Sequence, residues 1–209
     1  NNLLSVVDQY LKSFFDYTMA MMLVIVFSPL LLLLYSIVFI ATKGHPLFQH
    51  ERIGYQGKRF NVWKFRTMHI DADERLEILL ETCIPCREEW DRDFKLKNDP
   101  RVTAIGNFLR KTSLDELPQL INVLKGEMSL VGPRPIVEAE IVKYGEYYNY
   151  FTAVKPGISG LWQVSGRNDI DYDERVQLDV WYVRNWSIGL DMEILIKTAI
   201  VVLGRKGSY

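Results

Sequence analysis

The stretch from Met19 to Ala41 carries no charged residue and is rich in Leu, Ile, Val and Met. It meets the roughly 20 apolar residues that a bilayer crossing requires, so it reads as the membrane element of the chain. Ser28 and Pro29 interrupt it near the middle. Proline there removes a backbone donor and sets its ring against the carbonyl of Ile25, four residues earlier, so a kink or a break is expected. A spanning helix accepts such a proline when neighbouring groups repair the freed carbonyl. On that physics a kinked span is favoured over a re-entrant hairpin. Lys43, His45, Arg52, Lys58 and Arg59 follow the segment, against Lys12 before it, which puts the downstream side in the cytoplasm.

The 209 residues leave room for one further domain. Acidic and basic side chains nearly cancel, 26 against 25, but basic ones gather between Lys43 and Arg66 and acidic ones between Asp71 and Asp93. That layout does not suit a uniform polyanion, so nucleic acid is excluded as a partner. Cys83 and Cys86 are too few for a secreted disulfide framework, which points to a reducing compartment. Their CxxC spacing lacks the second Cys/His pair that a zinc site needs. Residues 1–16 lack the basic segment, short apolar core and cleavage site of a signal peptide, and the chain starts at Asn1, so a piece of a longer protein is expected.

Downstream, Pro46, Gly54 and Gly57 punctuate aromatic and β-branched runs between His45 and Met68, as in a hairpin or extended loop. Asp71 to Leu96 has apolar residues at helical intervals amid many charges and reads as a solvated helical insert, interrupted at Pro85. Leu117 to Leu124 is a helix candidate that Gly126 would stop. Val137 to Phe151 is another, rich in tyrosines that suit either a membrane interface or a core. Val154 to Arg167 reads largely as loop. A last helix, Asp191 to Leu203, is too short and, with Lys197, too charged for a second crossing.

The chemistry gathers around Asp115 and Glu116. Ser113-Leu114-Asp115-Glu116 matches a capping box, in which Ser and Glu satisfy orphan amides at a helix start. Pro118 would then fall at the fifth helical position and forfeit a bond, so a later helix start would leave the two acids on an exposed rim. Arg110 and Lys111 nearby would hold a carboxylate ionised, able to attack phosphorus or bind Mg²⁺. Pro133 and Pro135 mount Arg134 stiffly, which suits phosphate binding, although such a turn also exposes an ordinary solvated charge. Lys64 and Arg66 share a face if their segment is a strand. Arg167 lies on a glycine-flanked turn, where the backbone could approach an anion. No Walker A or G-x-G-x-x-G pattern occurs, so nucleotide phosphates would be held by side chains and metal.

Lys64-Phe65-Arg66-Thr67-Met68, Thr112 to Leu120 (TSLDELPQL), Met128 to Pro135 (MSLVGPRP), Lys155 to Asn168 (KPGISGLWQVSGRN) and Leu178-Asp179-Val180-Trp181-Tyr182-Val183 together resemble the bacterial sugar transferases, or monotopic phosphoglycosyl transferases. The strings match in order over nearly the whole chain. That resemblance implies a mainly helical α+β fold. Residues 1–44 would form a re-entrant membrane helix broken at Ser28-Pro29, in place of the kinked span. Residues 45–209 would form a catalytic domain with a small β-hairpin, interfacial amphipathic helices and a charged insert at about 71–98.

The resemblance also implies a ping-pong reaction with Mg²⁺ at the cytoplasmic face of a bacterial inner membrane. Asp115 would attack the β-phosphate of a UDP-sugar, release UMP and hold the sugar phosphate until undecaprenyl phosphate accepts it. Glu116 would assist at the metal or as a proton acceptor, so both acids are candidate metal ligands. Lys64, Arg66, Arg110, Arg134 and Arg167 match positions assigned to neutralising phosphates, and Asp179 matches a further acidic site position. The insert, the His50-Glu51-Arg52-Ile53-Gly54 run and the C-terminal Lys206-Gly207-Ser208-Tyr209 resemble the branch that transfers galactose 1-phosphate, with glucose 1-phosphate second. Such a step opens O-antigen, capsule or exopolysaccharide synthesis at a lipid surface, and a homodimer is among the expectations. Two rivals remain, a non-catalytic adaptor binding anionic lipid and a lipid-phosphate hydrolase using the same carboxylate.

Overall fold

A computed structural model describes residues 3–93, 96, 99–166 and 170–204. Helix α1, Val6–Thr42, has 37 residues and extends about 55 Å at 1.5 Å per residue. Pro29 lies inside it without ending it, so the expected interruption is not a break in helical structure. The carbonyl of Ile25, which Pro29 leaves without a donor, accepts a 2.8 Å hydrogen bond from the Ser28 hydroxyl instead. The serine thus repairs what the proline removes.

One stripe of α1 is buried on both sides of Pro29. Ala20 packs with Val62, Leu120, Val131 and Ile194, whereas Leu34 and Val38 pack with Phe65 and Leu109. The other face is bare, with Ile25, Val26, Leu32, Leu33, Phe39 and Ile40 all more than half exposed. Only 11% of the most apolar 18-residue stretch is buried, unlike a soluble core helix, and α1 is long and apolar enough to cross a membrane.

Strands β1 (Leu47–Ile53) and β2 (Arg59–Phe65) form the antiparallel hairpin. Gln56 and Gly57 turn it with left-handed backbone. Phe48 pairs with Lys64, His50 with Val62 and Arg52 with Phe60. Because side chains alternate and cross-strand partners share a face, His50, Arg52 and Lys64 emerge on the same side. The insert consists of α2 (Ala72–Thr82) and α3 (Ile84–Asp93). They part at Cys83 rather than at Pro85, which falls in the first turn of α3, where a missing N–H costs nothing. Cys83 and Cys86 form a disulfide at this corner, in contrast to the reduced pair expected from so few cysteines. No residue of α2 is buried, as a solvated excursion requires.

Helix α4 (Ala104–Thr112) is capped by Thr103, and α5 (Gln119–Leu124) ends before Gly126, whose φ is +75°. Strands β3 (Ser129–Val131) and β4 (Gly157–Ser159) pair in parallel. The segment read as loop from Val154 therefore contains β4 and a short helix, α8 (Leu161–Ser165). The single helix expected from Val137 to Phe151 is instead broken into turns, including α6 (Ile141–Tyr144) and α7 (Tyr148–Thr152), with Gly145 between them at φ 50° and ψ −126°. Its aromatics belong to a core: Tyr144 and Phe151 are buried, and Tyr147, Tyr148 and Tyr150 pack against them. Helices α9 (Tyr172–Asn185) and α10 (Ile188–Leu203) complete the body, capped by Asp171 and Ser187.

A buried ionic cluster joins α1 to this body. Lys12 Nζ lies 2.7 Å from Asp191 Oδ2 and 3.4 Å from Asp16 Oδ2. Trp186 Nε1 donates to Asp191 at 3.0 Å, and the Tyr182 hydroxyl reaches Asp191 Oδ1 at 2.7 Å and the Val131 carbonyl at 3.0 Å. The amide of Leu130 donates to Asp16 at 3.2 Å. Lys12→Met leaves two buried carboxylates without their cation and is expected to cost about 3–5 kcal/mol. Asp191→Asn keeps Lys12 with Asp16 and an acceptor for Tyr182, so its loss should be smaller. Thermal unfolding of both variants in one detergent checks the order, and equal losses would refute it.

Candidate active site

Helix α4 ends in an unusual way. Ser113 adopts left-handed backbone, φ 54°, and its amide closes the last turn on the Arg110 and Leu109 carbonyls. Its side chain caps nothing, which removes the capping-box reading. Leu114–Glu116 make one 3₁₀ turn and Pro118 occupies the N-cap of α5, so the helix begins late. Asp115 and Glu116 are thereby carried on a tight linker between two helices. They line a cleft of about 640 Å³.

Lys64, Arg110 and Arg134 line the same cleft. Lys64 comes from β2 and holds Glu116 Oε1 at 2.6 Å. Arg110, in the last turn of α4, donates Nε to Thr67 Oγ1 at 3.0 Å. Arg134 rides on the rigid Pro-Arg-Pro segment, which is fastened to β4 where Gly157 N donates to the Pro133 carbonyl at 2.8 Å. A Cβ at Gly157 would collide with the backbone nitrogen of Gly132, so glycine is required for this approach. The rest of the lining is largely apolar: Leu23 and Phe27 of α1, Leu195 and Val202 of α10, with Ile158 and Trp162. The Ser159 and Thr198 hydroxyls, 2.6 Å apart, add a small polar pair.

The two acids have different environments. Burial raises the Glu116 carboxyl, but the charge and hydrogen bond of Lys64, with Arg134 and Gln119, outweigh it and hold Glu116 below the usual range. Burial, then the charge of Glu116, pushes Asp115 up to about 6 against the pull of Lys64 and Arg110. Lys64 and Arg110 favour the ionised form of Asp115, as expected of cations, while burial and Glu116 oppose them. Neighbouring carboxylates driven apart in this way are a familiar mark of sites that handle charge and protons. Among the described residues no group of three or more His, Cys, Asp or Glu converges to hold a metal. Asp115 and Glu116 offer adjacent hard oxygen donors, the number Mg²⁺ commonly takes from protein when phosphates and water complete its shell. A cation would also relieve the repulsion between the acids, so the residues present fit Mg²⁺.

Other predicted positions lie elsewhere. Arg66 sits beyond the end of β2, donates Nε to the His45 carbonyl at 2.9 Å and covers the Phe48 ring; it does not line the cleft. Asp179 of α9 is buried outside the cleft lining and accepts a 2.8 Å hydrogen bond from the Tyr144 hydroxyl. Among the described residues its Oδ1 has no hydrogen-bond partner, and burial pushes its carboxyl up to about 7. Arg167 lies outside the described residues. Ser28 and Pro29 lie in α1 directly after Phe27, which touches the cleft. Sequence reasoning did not single out Phe27, Trp162 or Leu195 as site residues, because apolar wall residues look like any others. It also passed over His50 and Arg52 as site residues, which only the hairpin register aligns with Lys64.

The chain belongs to the bacterial sugar transferase family, whose model it matches over residues 7–205. It is 55% identical over 209 residues to an uncharacterized sugar transferase of Haemophilus influenzae, and 53% identical to the undecaprenyl-phosphate galactose phosphotransferase of Salmonella typhimurium. It is 51% identical over 211 residues to the UDP-galactose-lipid carrier transferase of Erwinia amylovora. Each of these alignments covers 100% of this chain and 44% of the relative, so the chain spans less than half their length.

Asp179 makes stability depend on pH. Its folded-state carboxyl binds a proton more tightly than an ordinary aspartate, so stability is highest below about pH 4 as far as this group is concerned and falls as pH rises towards 7. Asp179→Asn still accepts from Tyr144 and cannot ionise. It should raise the melting temperature at pH 8 and do so clearly less at pH 4.5; the same gain at both pH values would exclude a buried charge as the cause.

Proposed function

We propose that this chain transfers hexose 1-phosphate from a UDP-sugar to undecaprenyl phosphate at the cytoplasmic face of a bacterial inner membrane, releasing UMP. The observation that carries the reading is the Asp115-Glu116 pair lying with Lys64, Arg110 and Arg134 in a cleft that α1 and α10 line with apolar side chains. Cations recognise phosphates, and the apolar wall suits a polyprenyl tail. Galactose is the preferred sugar, in keeping with the names of the Salmonella and Erwinia relatives, and glucose is second.

The chemistry divides into two displacements. An Asp115 oxygen attacks the β-phosphorus of the donor, the phosphorus–oxygen bond to UMP breaks, and the sugar phosphate stays on the aspartate. An oxygen of undecaprenyl phosphate then attacks that phosphorus and the bond to Asp115 breaks. Dividing the reaction means that the soluble donor and the lipid acceptor need not be bound together. Lys64, Arg110 and Arg134 neutralise the phosphate charge that gathers when two anions meet. Glu116, held ionised by Lys64, stands beside the nucleophile. Mg²⁺ would be held by Asp115 and Glu116 and would add further neutralisation at the phosphate oxygens.

The membrane reading is a re-entrant α1 that enters and leaves on one side. Support comes from residues on both sides of Pro29 packing against the same polar body, which a straight span would carry to opposite faces of the bilayer. The exposed stripe Ile188, Met192, Ile196 and Ile200 on α10 suits contact with the same lipid surface.

The test measures UMP from UDP-galactose and UDP-glucose, with and without undecaprenyl phosphate. Asp115→Asn should lower UMP release by about 10³-fold or more and abolish labelling of the protein by radioactive UDP-sugar. Full activity in that variant would remove the covalent route. Steady release of free sugar phosphate without the lipid would favour a hydrolase.

A further inference from the structure

A second group of cations lies around the Lys64–Glu116 pair. Arg52, on the Lys64 face of the hairpin, lines a small cavity with His50, Lys64, Glu116 and Arg134. Its Nη1 is 3.1 Å from His50 Nε2. Partial burial, with the charges of Arg52 and Lys64, holds the His50 imidazole below its ordinary range. At neutral pH the ring is therefore uncharged, and Nε2 accepts from the guanidinium. Among the described residues neither Arg52 nor Arg134 forms an ion pair. Partial burial, then the charge of Arg134, disfavours the Arg52 cation, and Glu140 opposes them. Two like charges held together at the edge of a cavity are costly alone and favourable once an anion joins them.

The two cavities divide the site. Asp115 lines only the large cleft and Arg52 only the small cavity, whereas Lys64, Glu116 and Arg134 line both. Displacement at phosphorus places the attacking and leaving oxygens roughly in line. With the nucleophile on the cleft side, the leaving group belongs on the Arg52 side.

We propose that Arg52 and Arg134, with His50 holding Arg52 in position, form an anion subsite that takes the nucleotide monophosphate end of the donor, the part that leaves as UMP. This rests on the transferase reading above and adds to it a place for the leaving group. Arg52 contacts the phosphate, and His50 is a positioning residue. The cavity, about 20 Å³ as it stands, has room for little more than one water. The exposed side chain of Arg134 can swing outward to admit a phosphate while its guanidinium stays on it. The site then has two entrances: a polar one at the hairpin for the nucleotide and an apolar one beside α1 and α10 for the lipid.

The test uses the full chain in detergent and compares the wild type with Arg52→Gln, Arg52→Lys, His50→Gln and His50→Leu. Calorimetric binding of UMP is measured together with KM for UDP-galactose and for undecaprenyl phosphate. Arg52→Gln should weaken UMP binding about tenfold or more and raise the donor KM, with the acceptor KM unchanged. Arg52→Lys, which keeps the charge but not the fork, should fall between. It also carries the test if Arg52→Gln does not fold. His50→Gln retains an acceptor for Arg52 and should behave like the wild type, whereas His50→Leu should raise the donor KM more than it lowers kcat. A folded Arg52→Gln protein with UMP affinity and donor KM close to the wild-type values overturns the subsite, as does an effect confined to the acceptor KM. A wild-type protein that neither binds UMP nor releases it from any UDP-sugar overturns the parent reading, an outcome separable from the first because there the wild type binds UMP.

Discussion

Lys12 lies between Asp16 and Asp191 where little water reaches any of the three. An ionic group withdrawn from water is tolerated only when its partners are close and their remaining lone pairs are satisfied. Here Trp186, Tyr182 and the Leu130 amide complete the set. The cluster thereby ties three elements to one point: α1 through Lys12 and Asp16, α10 through Asp191, and α9 through Tyr182. An apolar helix has no directional means of choosing its position on a protein surface, since dispersion and burial are satisfied by many rotations. Paired charges supply that direction.

The position of α1 in turn shapes the cleft. Once Lys12 sets the rotation of the helix, Leu23 and Phe27, about three and four turns further along, face the cleft near Asp115 and Glu116. Leu195 and Val202 lie on α10 downstream of Asp191 and are set by the same anchor. The apolar part of the site is therefore positioned by a charged cluster remote from it. A water-poor wall beside ionised groups strengthens every electrostatic interaction in the cleft. It also explains why Asp115 is raised while Glu116, gripped by Lys64, is not.

Helix α1 is long and apolar and yet carries a proline. The Ser28 hydroxyl answers this locally by satisfying the Ile25 carbonyl, so no neighbouring helix is needed to repair it. Beyond that point Leu34 and Val38 return to the protein surface and pack on Phe65 and Leu109. Residues on both sides of Pro29 are thus bound to the same polar domain, at one end through the Lys12 cluster and at the other through Leu34 and Val38.

Much of this was legible in the residues themselves. The apolar run, the hairpin between His45 and Met68 and the solvated insert follow from local rules of burial and alternation, which operate over a few residues, whereas the break expected at Ser28-Pro29 is absent from a continuous α1. Asp115, Glu116, Lys64, Arg110 and Arg134 stood out as strings, and the fold brings those five together. Neighbour-scale signals misled where two local rules competed: Ser113 fits a cap but ends the preceding helix, Gly145 breaks what composition presents as one helix, and Arg66 alternates with Lys64 yet falls beyond the strand. What only the tertiary structure decided was each long-range meeting: Lys12 with Asp191, Asp179 with Tyr144, Phe27 with the carboxylates, and Arg52 with Arg134. These are set by how helices and hairpin pack, and packing depends on the shapes and charges of residues far apart in the chain, which no local pattern records.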